Sequence, residues 1–193
     1  MDITNYQEEQ DHYKIFCVEG VKDVEDETPS QLYPFFEHLA LNKGITSVYK
    51  SCDSFEGFEE SISNLLYSDR NFKDYKIIYL VFGGENNSIE IDGYYYTLEE
   101  VAELFQGRLT DKIIHFANTK CLDLEEETFQ YFLDVTGAKA LSGYVNHSPL
   151  LSTILDQHFF ELHRDYEDEV ELVEKLFDKY ANLCLKMGFR LYY

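Results

Sequence analysis

Two patterns of apolar positions alternate along the chain. Short, almost unbroken apolar runs mark strands buried on both faces, and stretches with apolar residues three or four apart mark helices. The first run, Tyr13 to Val18, closes at Glu19-Gly20. After an acid-rich loop, Ser30 is placed as the N-cap of a helix through Leu41, with Leu32, Phe35, Phe36 and Leu39 at helical spacing and Gly44 as the stop. A strand over Ile45 to Lys50 follows. Ser54 then caps a helix that aligns Phe55, Phe58, Ile62, Leu65 and Leu66 on one face.

The strongest strand, Lys76 to Phe82 (KIIYLVF), ends at Gly83-Gly84. Ile-Glu-Ile and Tyr-Tyr-Tyr flank Asp92-Gly93, which predicts a hairpin over Ile89 to Tyr96. Thr97 with Glu100 spells a capping box for a helix through Phe105, stopped by Gly107. Lys112 to Ala117 is the next core strand, and a loop from Asn118 leads to Asp123 as the cap of a helix to Val135. Ala138 to Ser142 forms a fifth core strand, ending at Gly143-Tyr144. Helices from Leu150 to His163 and from Glu167 to Lys186 precede a late edge strand, Phe189 to Tyr193.

Regular alternation of this kind predicts an α/β protein, a three-layer α/β/α sandwich around a mostly parallel sheet. No repeat or linker divides the 193 residues, so a single domain is expected. Residues 1–12 read as a flexible acidic N-terminus, and 164–193 as a C-terminal helix with the edge strand.

Charge narrows the function. The net charge is −21, from 16 basic and 37 acidic residues. Phosphate contacts by Lys and Arg supply most nucleic-acid affinity, so neither nucleic acid nor an anionic membrane is an expected partner. The apolar fraction of 45% is too high for a disordered acidic tail. The acidic N-terminus is the reverse of a secretory signal, and no window is apolar for long enough to span a bilayer. Cys17, Cys52, Cys121 and Cys184 lie 35, 69 and 63 residues apart, without the close pairs of a zinc site. They read as reduced thiols of a cytoplasmic protein.

In open parallel sheets, sites form at the carboxyl ends of the strands. The segments to inspect are therefore Glu19-Gly20, Gly83 to Ser88, Asn118 to Leu122 and Gly143 to His147. None carries GxGxxG or GxxxxGK[ST], and Glu85 beside Gly83-Gly84 would repel a phosphate. His158 and His163, five apart, do not share a helical face as a metal pair would. The acidic triplets at Glu125 to Glu127 and Glu167 to Glu169 suit helix starts better than calcium. No metal and no cofactor is expected. The tyrosines Tyr94 to Tyr96 read first as strand packing, with protein contact as the rival.

Six segments taken in order, IFCVEG at 15–20, YKIIYLVFGG at 75–84, TLEEVAELFQGR at 97–108, KIIHFANTKCLDL at 112–124, FLDVTGAKALSGY at 132–144 and LDQHFFELH at 155–163, resemble a group of bacterial proteins with the caspase-like, CHAT-type cysteine-peptidase fold. In that fold the peptidase His follows one core strand, commonly in an apolar run ending His-Gly, and the nucleophilic Cys follows the next. Here the position of the general base falls on Gly83 and that of the nucleophile on Thr119. The resemblance therefore implies a protein that has lost its dyad and presents the old cleft for binding.

That cleft is expected to be lined by Glu19, Gly83, Gly84, Glu85, Asn118, Thr119 and Tyr144, its acids steering a basic protein or peptide partner. One rival is a cysteine peptidase with a displaced dyad, Cys121 with His147 or His115. Against it, His115 sits mid-strand between Ile114 and Phe116, where a hydrogen-bonded core histidine is expected. A third reading, an acidic mimic of nucleic acid that occupies a basic partner, requires rows of carboxylates on one face.

Overall fold

The structure is a computed structural model that describes residues 13–26, 28–117, 122–146, 149–166 and 168–193. It is a mixed α/β fold built on a six-stranded, mostly parallel sheet flanked by helices. The strands are β1 (Lys14–Gly20), β2 (Thr46–Cys52), β3 (Tyr75–Val81), β6 (Ile113–Ala117), β7 (Ala140–Tyr144) and β8 (Phe189–Tyr192), and their order across the sheet is β2-β1-β3-β6-β7-β8. Only β8 runs antiparallel to its neighbour. A separate hairpin pairs β4 (Ser88–Ile91) with β5 (Tyr94–Thr97). At its turn Asp92 and Gly93 both take positive φ, 50° and 75°, as the Asp-Gly signal requires.

The helices are α1 (Tyr33–His38), α2 (Phe55–Tyr67), α3 (Leu98–Glu103), α4 (Glu126–Thr136), α5 (Pro149–Asp165) and α6 (Glu169–Met187). Strand alternation sends successive side chains to opposite faces. Ile78, Leu80 and Phe82 of the β3 segment join Phe58, Ile62 and Leu65 of α2, Val101 of α3 and Phe132 of α4 in one core. Ile77, Tyr79 and Val81 join Phe36 of α1, Phe159 and Phe160 of α5 and Leu172 and Leu176 of α6 in the other. The sheet is therefore the middle layer of a sandwich.

Local chemistry accounts for most boundaries. The Ser54 hydroxyl accepts from the Gly57 amide, and Thr97 and Glu100 form both halves of the capping box. Gly137 ends α4 at φ 72°, and a Cβ there would lie 2.5 Å from the Gly107 carbonyl oxygen, so packing as well as conformation requires glycine.

Two expected caps are elsewhere. Ser30 does not begin a helix at that point: α1 starts at Tyr33 with Leu32 as N-cap and Pro34 in its first turn, and the chain continues as a π-helix over Leu39–Lys43 before Gly44. The Ser30 hydroxyl is drawn instead to Glu19. Asp123 does not cap α4, whose N-cap is Glu125. Its backbone pairs with the Asn87 side chain, Nδ2 donating to the Asp123 carbonyl at 3.3 Å and Oδ1 accepting from its amide at 3.2 Å. The expected flexible segment 1–12 lies outside the described residues.

Candidate functional site

Strand order reverses between β1 and β3. β1 is followed in sequence by β2 on one side of it, and the chain then returns to build β3, β6 and β7 on the other. At such a point the loops leaving neighbouring strands diverge and leave a crevice at the carboxyl edge. A cavity of about 1000 Å³ occupies this place, lined by the β1–α1 loop, the ends of β1, β2, β3 and β6, and Thr153 of α5.

Sequence explains why it is empty of protein. Ser51, Glu19, Val81 and Ala117 lie side by side on one rung of the sheet, and all four border the cavity. Three of them are too small to fill the space up to the helical layer. On the next rung down lie Tyr49, Cys17, Tyr79, His115 and Ser142, larger and more polar for the most part. Tyr49 and Tyr79 from this rung reach the cavity wall.

Glu19 is the organised charge of the cavity. Its Oε2 accepts two hydrogen bonds, from the Ser30 and Tyr49 hydroxyls, each at 2.5 Å. Burial, reinforced by the bond to Glu19, raises the Tyr49 phenol above its usual range, so it stays a donor. Tyr33 meets the Tyr49 ring edge-on at 5.0 Å. Asp23 and Asp26 add two carboxylates against one cation, Lys22. The lining therefore presents excess negative charge beside aromatic rings, an environment suited to a cationic group.

Beneath the cavity is a buried polar network in which His115 is the hydrogen-bonded core histidine expected from its mid-strand position, and Asp156 is the member that no sequence signal marks. Asp156 of α5 accepts at Oδ2 from the Tyr79 hydroxyl (2.5 Å) and at Oδ1 from His115 Nε2 (2.7 Å) and the Tyr144 hydroxyl. His115 Nδ1 pairs with Ser142 Oγ at 2.7 Å. Because the carboxylate requires a proton on Nε2, Nδ1 of a neutral imidazole accepts from Ser142. Asp156, His115 and Ser142 have no exposed surface. Burial and the Asp156 charge push both phenols well above their usual range. Although Ser142, His115 and Asp156 form a serine–histidine–carboxylate chain, the hydroxyl lies inside the sheet, out of a substrate's reach. Only the run of strand positions 17, 79, 115, 142 and 144 hinted at it. Asp156 was invisible because its helix spacing carries no signal of what faces it.

Of the expected cleft residues, Glu19 lines the cavity. Gly83, Gly84 and Glu85 do not: they carry the chain away to the hairpin, with the Glu90 amide donating to the Gly83 carbonyl at 2.7 Å. At Gly84 a Cβ would stand 2.1 Å from the Ser88 carbonyl oxygen, so hairpin and loop meet at contact distance. Tyr144 is corrected more fully, since it points into the core and is 1% exposed. Even positions of β7, among them Ala140 and Tyr144, face α5, and there the Tyr144 hydroxyl finds Asp156. Asn118, Thr119, Cys121 and His147 lie outside the described residues. His115, named for a displaced dyad, has both ring nitrogens engaged within the core.

The described thiols are poor nucleophiles. Burial raises Cys17, Cys52 to about 12 and Cys184 to about 11. Among the described residues no cluster of His, Cys, Asp and Glu is arranged to hold a metal, and no helix is long and apolar enough to cross a membrane.

Fold and site together define a class: a mostly parallel α/β/α protein with an acid-lined cavity at its switch point. The chain belongs to a family of unknown function, DUF6642, whose family model matches residues 12–193. No curated protein matches it.

Proposed function

We propose that the chain is a caspase-like protein of the CHAT type without peptidase chemistry, which binds a basic segment of a protein partner in a binding or regulatory role. One observation carries the reading: an acid-lined cavity at the carboxyl edge of the sheet coexists with a glycine, Gly83, at the position that the resemblance gives to the general base. A glycine takes no proton, and an unassisted thiol or hydroxyl beside it is a poor nucleophile. The cavity is within the size range of ligand sites, about 300–1,000 Å³. Glu19, fixed by two hydroxyls, offers a preorganised carboxylate to a lysine or arginine side chain. Free thiols at Cys17, Cys52 and Cys184 support a reducing, cytoplasmic setting.

The test pairs catalysis with binding. The purified protein should leave a peptide library intact, and thiol labelling between pH 5 and 8 should find no site that reacts rapidly at the acid end. A fluorescent peptide of alternating lysine and serine should bind, more weakly in salt and in Glu19→Gln. Cleavage that disappears in Cys121→Ala would overturn the inactive reading in favour of a displaced dyad.

A further inference from the structure

On the other face of the sheet, α2 and α3 lie side by side but are unequal. At 1.5 Å per residue the 13 residues of α2 span roughly 20 Å, and the six of α3 roughly half of that. A groove of about 420 Å³ runs between them along the length of α2, from Phe55 to Tyr67.

Its walls follow from helical spacing. Phe55, Glu59, Ser63 and Tyr67 recur every four residues and form one stripe of α2 along the groove, while Glu100, Glu103 and Leu104 line the opposite side. Phe55 and Leu104 pack onto the core beneath and give the groove an apolar base. Glu59 stands across from Glu100 and Glu103. Among the described residues none of these three carboxylates has a cation within 4.0 Å. Glu100 is engaged by the backbone amide of the capping box at the start of α3, so Glu59 and Glu103 carry the charges left for a partner. Like charges facing each other across an apolar floor repel, and a cation between them relieves the repulsion.

The end of the groove shows which cation fits. The Arg108 guanidinium lies over the Tyr67 ring, 4.6 Å from its centroid, and the Tyr67 hydroxyl donates to Gln106. The chain's own arginine thus already stacks on the aromatic that closes the groove.

From the uncompensated carboxylates, the apolar floor and this stacking, we infer that the α2–α3 groove is a second docking surface, one that takes a short arginine-and-leucine segment of a protein partner. Arginines meet Glu59 and Glu103, and an apolar side chain rests on Phe55 and Leu104. The groove lies on the opposite face of the sheet from the Glu19 cavity and does not depend on it.

The experiment titrates the full chain with fluorescein-labelled Arg-Leu-Leu-Arg, following anisotropy and the backbone amide resonances of Ser63 and Gln106. Binding with shifts at both amides is expected. The double charge reversal Glu59→Lys/Glu103→Lys should weaken it by roughly tenfold, the combined scale of two exposed ion pairs, whereas Glu19→Gln should leave the groove shifts unchanged. Both reversed residues are exposed, so a thermal melt should match the unaltered chain. A matched reversal on α6, Glu171→Lys/Glu174→Lys, controls for net charge. Absence of binding, equal losses in the two reversals, or shifts confined to residues around Glu19 would each overturn the inference. The last result would leave the cavity reading standing, and loss of cavity binding alone would leave the groove standing.

Discussion

The two faces of the central sheet are built from the same strands and solve burial differently. Toward α2, α3 and α4 the strands present Phe16, Val18, Ile78, Leu80, Ile114, Phe116 and Leu141, which interlock as an apolar layer, its ionisable members Tyr75 and Cys52 standing at strand ends. Toward α1, α5 and α6 the same strands present Tyr79, His115 and Tyr144, bonded to Asp156, and Ser142, bonded to His115. An apolar face fails by degrees when atoms are removed, since each lost methylene costs about 0.8 kcal/mol plus its cavity. A buried polar face is stable only while every member is satisfied. The cavity lies above the polar face, where rigid placement of Tyr79 and α5 sets its floor.

The comparison breaks most sharply at Asp156. Asp156→Ala leaves the Tyr79 and Tyr144 hydroxyls and His115 Nε2 without their acceptor in a site closed to water. A loss of about 4 kcal/mol is expected by urea unfolding. A loss below about 1 kcal/mol would mean that the network is incidental to stability.

The next effect is in pH. His163 of α5 accepts the Tyr13 hydroxyl at Nδ1 (2.6 Å), and burial, with lesser repulsion from Lys139 and Lys76, lowers its pKa to about 4. Between pH 6.5 and 4 the unfolded chain therefore binds a proton that the folded chain does not. Stability from this group is complete above the unfolded value and falls as the pH drops toward 4, by roughly 3 kcal/mol at most. Carboxylates contribute their own acid slope, so the decisive quantity is the difference from His163→Gln, which should have the shallower pH dependence across this window. Identical slopes would remove His163 from the account.

These differences bear on what a sequence can reveal. Strands buried on both faces announce themselves as apolar runs, so β1, β3, β6 and β7 and the hairpin at Asp92-Gly93 were legible, as were the Ser54 and Thr97 caps. Period alone does not say which groups meet across layers. Ser30 has the residue type of a helix cap, but its hydroxyl is claimed by Glu19, whose position on the neighbouring strand edge depends on tertiary structure. Tyr144 was assigned to the cleft because it ends a strand, and strand parity sends it to Asp156 instead. Glu19 borders the cavity because an acid at the carboxyl end of β1 lies at the switch point however the helices pack.

A smaller change separates shape from polarity. Tyr79→Phe keeps the ring that packs edge-on against Phe160 at 5.2 Å and removes only the hydroxyl bonded to Asp156. The expected cost is about 1.5 kcal/mol. Its counterpart on the apolar face, Ile78→Val on the adjacent strand position, removes one methylene and should cost about 1 kcal/mol. Near-equal single losses would conceal the real distinction, which lies in coupling.

The smallest effect is therefore the most discriminating. Tyr79 and Tyr144 sit on β3 and β7 and donate to different oxygens of one carboxylate. With one hydroxyl removed, Asp156 retains two donors among the described residues, and with both removed it retains His115. The second removal should thus cost more than the first, giving a coupling of about 1 kcal/mol in the Tyr79→Phe/Tyr144→Phe cycle. Across the sheet, Ile78→Val paired with Leu133→Val on α4 involves no shared acceptor, and the two losses should add to within about 0.4 kcal/mol. Additivity on both faces would show that Asp156 is satisfied independently of its tyrosines, and that the polar rung under the cavity packs as the apolar face does.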